Sequence, residues 1–186
     1  MTVYIALLRG INVGGKNIIK MADLKQVFES IGLYEVKTYI QSGNVVFKSY
    51  ETEDILYNKI ENEIEAVFGI STKVILRNST ELEKIILNCP FSKEEIAEAE
   101  TLSKVESLYV ALLKHNPLKE KIEYIDVYRN ESDRYQVIGR EVYLLFHHSI
   151  RNSKLANNLH KLNVPTTMRN WKTLSKLSVL AKNIDE

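Results

Sequence analysis

One cysteine, Cys89, and three prolines are all that the 186 residues supply of these two types. A single thiol excludes an internal disulfide and a cysteine-rich zinc site. Its apolar setting, IILNCPF, points to a buried structural thiol rather than a nucleophile. No apolar run approaches the roughly 20 residues needed to span a bilayer. The start of the chain also lacks the charged region, apolar stretch and cleavage site of a secretory signal. The expectation is a cytoplasmic protein with no membrane partner. An excess of one charge is missing too, since 25 Lys and Arg stand against 24 Asp and Glu for a net charge of +1. The charge is nevertheless uneven: residues 1–50 carry six bases against three acids, residues 51–104 six against twelve, and residues 151–186 seven against two. The ends are basic and the middle is acidic, and we expect the acidic middle to face away from any site.

What is present is an ordinary globular composition, 45% apolar and 26% charged, long enough for one domain or for two small halves sharing a core. VYIALLR, from Val3, reads as a strand. MADLKQVFESIG has helical spacing at Leu24, Val27, Phe28 and Ile31, with Gly32 placed to end the helix. VKTYIQ and NVVFK flank Ser42-Gly43 as a hairpin. Leu56, Ile60, Ile64, Val67 and Phe68 mark a helix stopped at Gly69, KVILR is a strand, and STELEKIIL is a helix stopped by Pro90. This is the β-α-β-β-α-β order of the ferredoxin-like motif, with one helix added.

The second half begins in nearly the same words. VYIALLR (3–9) and LYVALLK (108–114) agree in Tyr, Ala, Leu, Leu and a terminal base. The hairpins align Tyr39, Gly43 and Asn44 with Tyr135, Gly139 and Arg140. A shortened first helix near Pro117, a helix at NSKLANNLHKL, an extended piece near Val164 and a last helix WKTLSKLSVLAK complete the order. The expected fold is α+β, two duplicated ferredoxin-like halves at 1–90 and 107–186, each followed by an extra helix. An acidic helical connector, 91–106, joins them, and Ser92 with Glu95 fits a capping box at its start.

GINVGGKN, from Gly10 to Asn17, is one residue away from a P-loop, with Asn17 where the magnesium-binding hydroxyl belongs. A P-loop places its lysine in the first turn of a helix. Here the helix starts near Met21, and no later strand supplies a magnesium-binding Asp. The loop is something else: three glycines and two asparagines between Arg9 and Lys16. In β-α-β-β-α-β order the end of the first strand and the turn between the second and third share a rim. Arg9, Asn12, Lys16, Gln41, Ser42 and Asn44 must then converge.

In the second half the same reasoning favours the opposite rim. Two helix starts point one way there, preceded by Arg151, Ser153 and Lys154 and by Thr166, Thr167, Arg169 and Asn170. Bases beside helix amides can hold an anion, and plain capping by Ser153 and Asn170 is the alternative. Trp171 and Tyr39 could stack on a base, although a Trp at the first turn of an amphipathic helix is more often a packing residue.

IALLRGINVGGKN, MADL, TYIQSGNVVF, RNSKL and TTMRNWKTLSKL together resemble the family known as domain of unknown function 1697. The resemblance places a signature on Arg9 to Gly15 (with Gly10, Asn12, Gly14 and Gly15) and on Tyr39 to Asn44. It also marks Ser153, Lys154, Thr167, Arg169, Asn170, Trp171 and Thr173. It implies no activity and no cofactor.

The signature segments hold no Asp, Glu, His or Cys, the residues on which acid–base and covalent catalysis usually draw. His147 and His148, adjacent on a strand, point to opposite faces and cannot share a metal, and no spacing suggests zinc or calcium. No catalytic residue and no metal ligand is assigned. The expectation is a protein that binds a small phosphorylated or otherwise anionic, nucleotide-like ligand in one basic, glycine-rich cleft between its halves. The alternatives are nucleic-acid binding, ranked lower because the net charge is near zero, an enzyme on a small anionic substrate, and motif residues that only fasten the structure.

Overall fold

The computed structural model describes residues 1–185. The chain divides into two compact units, Met1–Lys84 with Ser175–Glu186, and Ile85–Leu174. In the first, β1 (Thr2–Leu8), α1 (Met21–Ser30), β2 (Tyr34–Tyr39), β3 (Asn44–Ser49), α2 (Glu53–Phe68) and β4 (Val74–Asn78) follow one another, and α3 (Ser79–Leu87) runs from the first unit into the second. Their sheet has the order β2-β3-β1-β4 with antiparallel neighbours throughout. The second unit holds α4 (Lys93–Ser103), β5 (Leu108–Leu113), α5 (Lys119–Asp126), β6 (Asp133–Ile138), β7 (Glu141–Phe146), α6 (Lys154–Asn157) and β8 (Thr166–Asn170). Its order, β6-β7-β5-β8, repeats the first sheet strand for strand. The last helix, α7 (Trp171–Asp185), starts in the second unit and ends in the first. The fold is mixed α+β, two duplicated ferredoxin-like halves.

Each unit has a core where the amphipathic spacing put it, except that Val67, on the last turn of α2, is exposed rather than on the buried face. Leu24, Val27 and Phe28 of α1 and Leu56, Ile60 and Ile64 of α2 are buried with Ala6, Leu8, Phe47 and Leu76 of the sheet. Side chains of this size stabilise by about 1.5–3 kcal/mol each when fully buried. Gly69 ends α2 at φ +66°, and Gly32 follows α1 at φ +80°, the left-handed exits that glycine makes without Cβ strain. In the second unit Ile125 of α5, Leu144 and Phe146 of β7, and Leu155, Leu159 and Leu162 form the corresponding core.

The capping box at α4 is present: Glu95 donates its N–H to Ser92 Oγ at 3.1 Å, and Ser92 N–H donates to Glu95 Oε2 at 2.7 Å. Arg134 of β6 adds a bond to Glu95 Oε1 at 2.8 Å. The Ser92 backbone bond, then Arg134, holds the Glu95 carboxyl below the usual carboxylate range. A carboxylate with a depressed folded pKa adds stability above its unfolded pKa and loses it as pH falls through the folded one. An acid titration followed by melting temperature should therefore show a smaller decline for Glu95→Gln than for the wild type.

Three local features differ from the sequence reading. The spacing at NSKLANNLHKL predicts one helix, but the chain makes a 3₁₀ turn at Ile150–Asn152, α6, and a second 3₁₀ turn at Leu159–Leu162. Asn158 makes the break: its backbone sits at φ −108°, and its amide donates to the Lys154 carbonyl at 2.7 Å. The apolar positions still reach one side, because short α and 3₁₀ turns both return Leu155, Leu159 and Leu162 to the core. The hairpins also align differently. Leu8 N–H donates to the Gly43 carbonyl and Leu113 N–H to the Arg140 carbonyl, so Gly43 corresponds to Arg140 rather than to Gly139. Between paired Tyr39 and Asn44 lie residues 40–43, whereas only residues 139 and 140 separate Ile138 from Glu141. Finally, Cys89 is half-buried rather than buried, and desolvation raises its thiol pKa.

The edge strand β4 is sealed by side chains. Arg9 N–H donates to the Lys73 carbonyl, so by antiparallel alternation Val74, Leu76 and Asn78 turn their backbone groups outward. Val74 N–H meets Glu61 Oε1 at 3.0 Å, Leu76 N–H meets Tyr57 Oη at 3.3 Å, and Asn78 N–H meets Glu81 Oε2 at 2.9 Å. Burial pushes the Tyr57 phenol up to about 12, so it remains a neutral hydroxyl that donates to Glu53 at 2.8 Å. The outward Leu76 carbonyl accepts from Arg77 Nη1 at 2.7 Å. In the second unit Arg169 Nη1 bonds the Met168 carbonyl in the same way at 2.9 Å. Edge β2 is instead distorted, with a register shift between Tyr34 and Lys37 and Glu35 at φ +50°. Such devices protect strand edges from unwanted pairing.

Candidate functional site

The segment after β1 is a miniature hairpin. Lys16 N–H donates to the Val13 carbonyl at 3.0 Å and Asn12 N–H to the Asn17 carbonyl at 3.1 Å. Gly14 and Gly15 form its tip at φ +59° and +72°, the signature of a type I′ turn. Only then does α1 begin, at Met21 behind Lys20, whose side chain makes no cap. Lys16 therefore lies outside any helical turn, and the resemblance to a P-loop is one of spelling.

Topology brings the predicted first-unit residues to one rim. Asn12 does most of the joining: Nδ2 donates to the Gln41 carbonyl at 2.8 Å and to the Ile19 carbonyl at 2.9 Å, while Oδ1 accepts from Ile19 N–H at 2.8 Å. Asn44, fully buried, donates to the Tyr39 carbonyl at 3.0 Å and to Ser42 Oγ at 2.9 Å. Asn17 holds the Gly10 carbonyl at 3.0 Å, and Thr72 Oγ1 donates to the Arg9 carbonyl at 2.7 Å. The asparagines thus shape the loop. Arg9, Lys16, Lys20 and Gln41 remain exposed, as do Gly14 and Gly15. Residues 9–20 and 39–44 contain three bases and no acid. Val13, Ile18 and Ile40 are exposed on the same segments.

The second-unit residues sort differently. Leu108 pairs with Leu145 and Tyr109 with Asn170, so the chain leaves β7 and β8 at the rim where β5 begins, opposite the β6–β7 turn. Arg151 and Lys154 are exposed there. Ser153 is buried, donates to Asp133 Oδ2 at 2.7 Å and accepts from Ala156 N–H at 3.0 Å. Asn170 Oδ1 accepts from Thr173 N–H at 2.8 Å, which caps the start of α7. Arg169 is buried and bonds Thr167 Oγ1 at 2.8 Å; desolvation pushes its pKa down to about 10, which still leaves it charged at neutral pH. Capping accounts for the Ser153 bond to Ala156 and the Asn170 bond to Thr173, and the Arg169 bond to Met168 seals the edge of β8. Trp171 is half-buried.

Sequence reading missed the counterpart of this last pair. Asn78 Oδ1 accepts from Glu81 N–H at 2.8 Å, as Asn170 does from Thr173, and Arg77 mirrors Arg169. The signal was present as LRNSTEL (76–82) and MRNWKTL (168–174). Among the described residues no cluster of His, Cys, Asp and Glu could hold a metal ion, and no helix is long and apolar enough to cross a membrane.

The whole chain is similar to the conserved bacterial protein SP0830 from Streptococcus pneumoniae, with 26% identity, a TM-score of 0.74, and 98% of this chain and 99% of that one covered. No curated protein matches the sequence. The family described as protein of unknown function (DUF1697) matches over residues 1–143, a span that includes the glycine-rich hairpin and the rim turn but ends before Arg151. By that match, the chain belongs to the DUF1697 family.

Proposed function

We propose that this protein binds a small phosphorylated, nucleotide-like anion in the cytoplasm, at the rim formed by the glycine-rich hairpin and the β2–β3 turn. One observation carries the reading: Arg9, Lys16 and Lys20 stand exposed on the same acid-free segment that carries the Gly14-Gly15 tip. Backbone N–H groups at a tip of this kind, flanked by bases, favour negative charge. Asn12, Asn17 and Asn44 fix the loop, and Arg9 and Lys16 supply the charge. Arg151 and Lys154 of the second unit, also exposed, form a second set to be tested separately.

A thermal-shift screen with pyrophosphate, nucleotides, sugar phosphates and short oligonucleotides tests the proposal. A ligand that binds only the folded state should stabilise it by about 2.7 kcal/mol at a hundredfold excess over its dissociation constant. Arg9→Ala and Lys16→Ala should remove that gain while leaving the melting temperature of the free protein unchanged. Steep weakening with salt would assign the site to nucleic acid instead. Silence across the panel would overturn the proposal.

A further inference from the structure

The β6 edge of the second sheet lacks the seals found elsewhere. His147 N–H donates to the Ser132 carbonyl and Phe146 N–H to Ser107 across β5. Alternation from these bonds turns Arg134, Gln136 and Ile138 toward β7, and Asp133, Tyr135 and Val137 outward. Asp133 is closed off: its N–H donates to Asn130 Oδ1 at 3.0 Å, and its carbonyl accepts from Asn130 N–H at 3.0 Å. The outward backbone groups of Tyr135 and Val137 have no partner among the described residues. The strand pairs with β7 through six consecutive positions without a bulge and contains no proline. Unbulged, unsealed edges of this kind are where sheets recruit another strand.

We propose that β6 pairs antiparallel with β6 of a second copy of this chain, forming a twofold dimer. Only one register joins the open groups of both copies, with Tyr135 opposite Val137 and Gln136 opposite itself. Centring on Tyr135 would place Val137 against the occupied Asp133, and centring on Val137 would run into the Gly139 turn. The chosen register sets an aromatic ring beside a β-branched side chain, a favourable cross-strand pair. It brings no like charges together, because Arg134 faces Ile138 and is already bonded to Glu95 at 2.8 Å. A symmetric contact needs this self-complementarity. An acidic peptide is a poorer fit, since the one cation on the strand is engaged.

Sedimentation velocity at rising concentration should show a mass climbing toward twice the monomer, as expected of a small, reversible interface. Gln136 is exposed, so Gln136→Lys and Gln136→Glu should fold normally. Each alone should weaken the dimer by like-charge repulsion across the twofold, and an equimolar mixture of the two should restore it. Val137→Pro, which deletes an outward N–H, should abolish it while keeping the circular dichroism spectrum. A monomer at every concentration overturns the proposal, as does a dimer indifferent to Gln136→Lys and Val137→Pro. A monomer that instead binds an added extended peptide along β6 also overturns it.

Discussion

Replacing Gly43 by alanine should cost about 3 kcal/mol, and thermal or urea unfolding will measure it. Two independent penalties meet at this position. Its φ of +77° is left-handed, which costs a residue with a Cβ about 1–2 kcal/mol. A Cβ there would also lie 2.7 Å from Ile11 Cδ1, 2.9 Å from Ile11 Cγ1 and 2.9 Å from Leu8 Cβ, and overpacking of this kind costs about 1–3 kcal/mol. Leu8 Cβ is close to the backbone and cannot swing away, and Ile11 is itself 1% exposed. Gly139→Ala is the control. It shares the left-handed backbone at φ +62°, but its nearest neighbour is Glu141 Oε2 at 3.6 Å, so only the smaller backbone penalty applies. Equal losses at the two sites would refute the close-packing argument. Because Ile11 anchors the glycine-rich hairpin, Gly43→Ala should also weaken whatever the rim binds.

Arg77→Ala should be at least as damaging, about 3–5 kcal/mol, the sum of an unsatisfied buried acceptor and the cavity left by a large side chain. Arg77 is wholly buried and donates at 2.7 Å to the outward carbonyl of Leu76. Alanine would leave that carbonyl bare and open a cavity the size of the lost side chain. Arg77→Met separates these effects, since it fills much of the volume without restoring the bond. Stability near that of the wild type for Arg77→Met, alongside a large loss for Arg77→Ala, would assign the role to packing alone. Arg169→Ala removes the equivalent bond to Met168 and should fall in the same direction.

These two residues also show where sequence reasoning reached and where it stopped. The order of strands and helices was legible because apolar spacing reports burial, and α1, α2 and both hairpins lie where it placed them. Convergence of the 9–20 loop with the 39–44 turn was legible because topology alone dictates which strand ends share a rim. The use made of each polar residue was not. Asn12 looks the same in a sequence whether it meets a ligand or the carbonyls of Ile19 and Gln41. Nothing in the sequence tells that Arg169 is buried and bonds the Met168 carbonyl. Matching glycine to glycine misaligns the hairpins by one residue at Gly43 and by three at Tyr39, which corresponds to Ile138, because the loop lengths differ and the backbone bonds count from β1 and β5.

The discontinuous first unit has a consequence for biosynthesis. Its sheet is complete by Asn78, yet it also takes in Ser175–Glu186, where Leu177, Ala181 and Ile184 are buried and Lys182 bonds Glu83 at 2.7 Å. Domains emerging from a ribosome fold from the N-terminus onward. Here the half that is synthesised first is finished last, after the whole of the second unit has been translated. A premature stop anywhere before α7 therefore leaves both halves of the duplication unfinished, and no single cleavage of the chain releases the first unit whole.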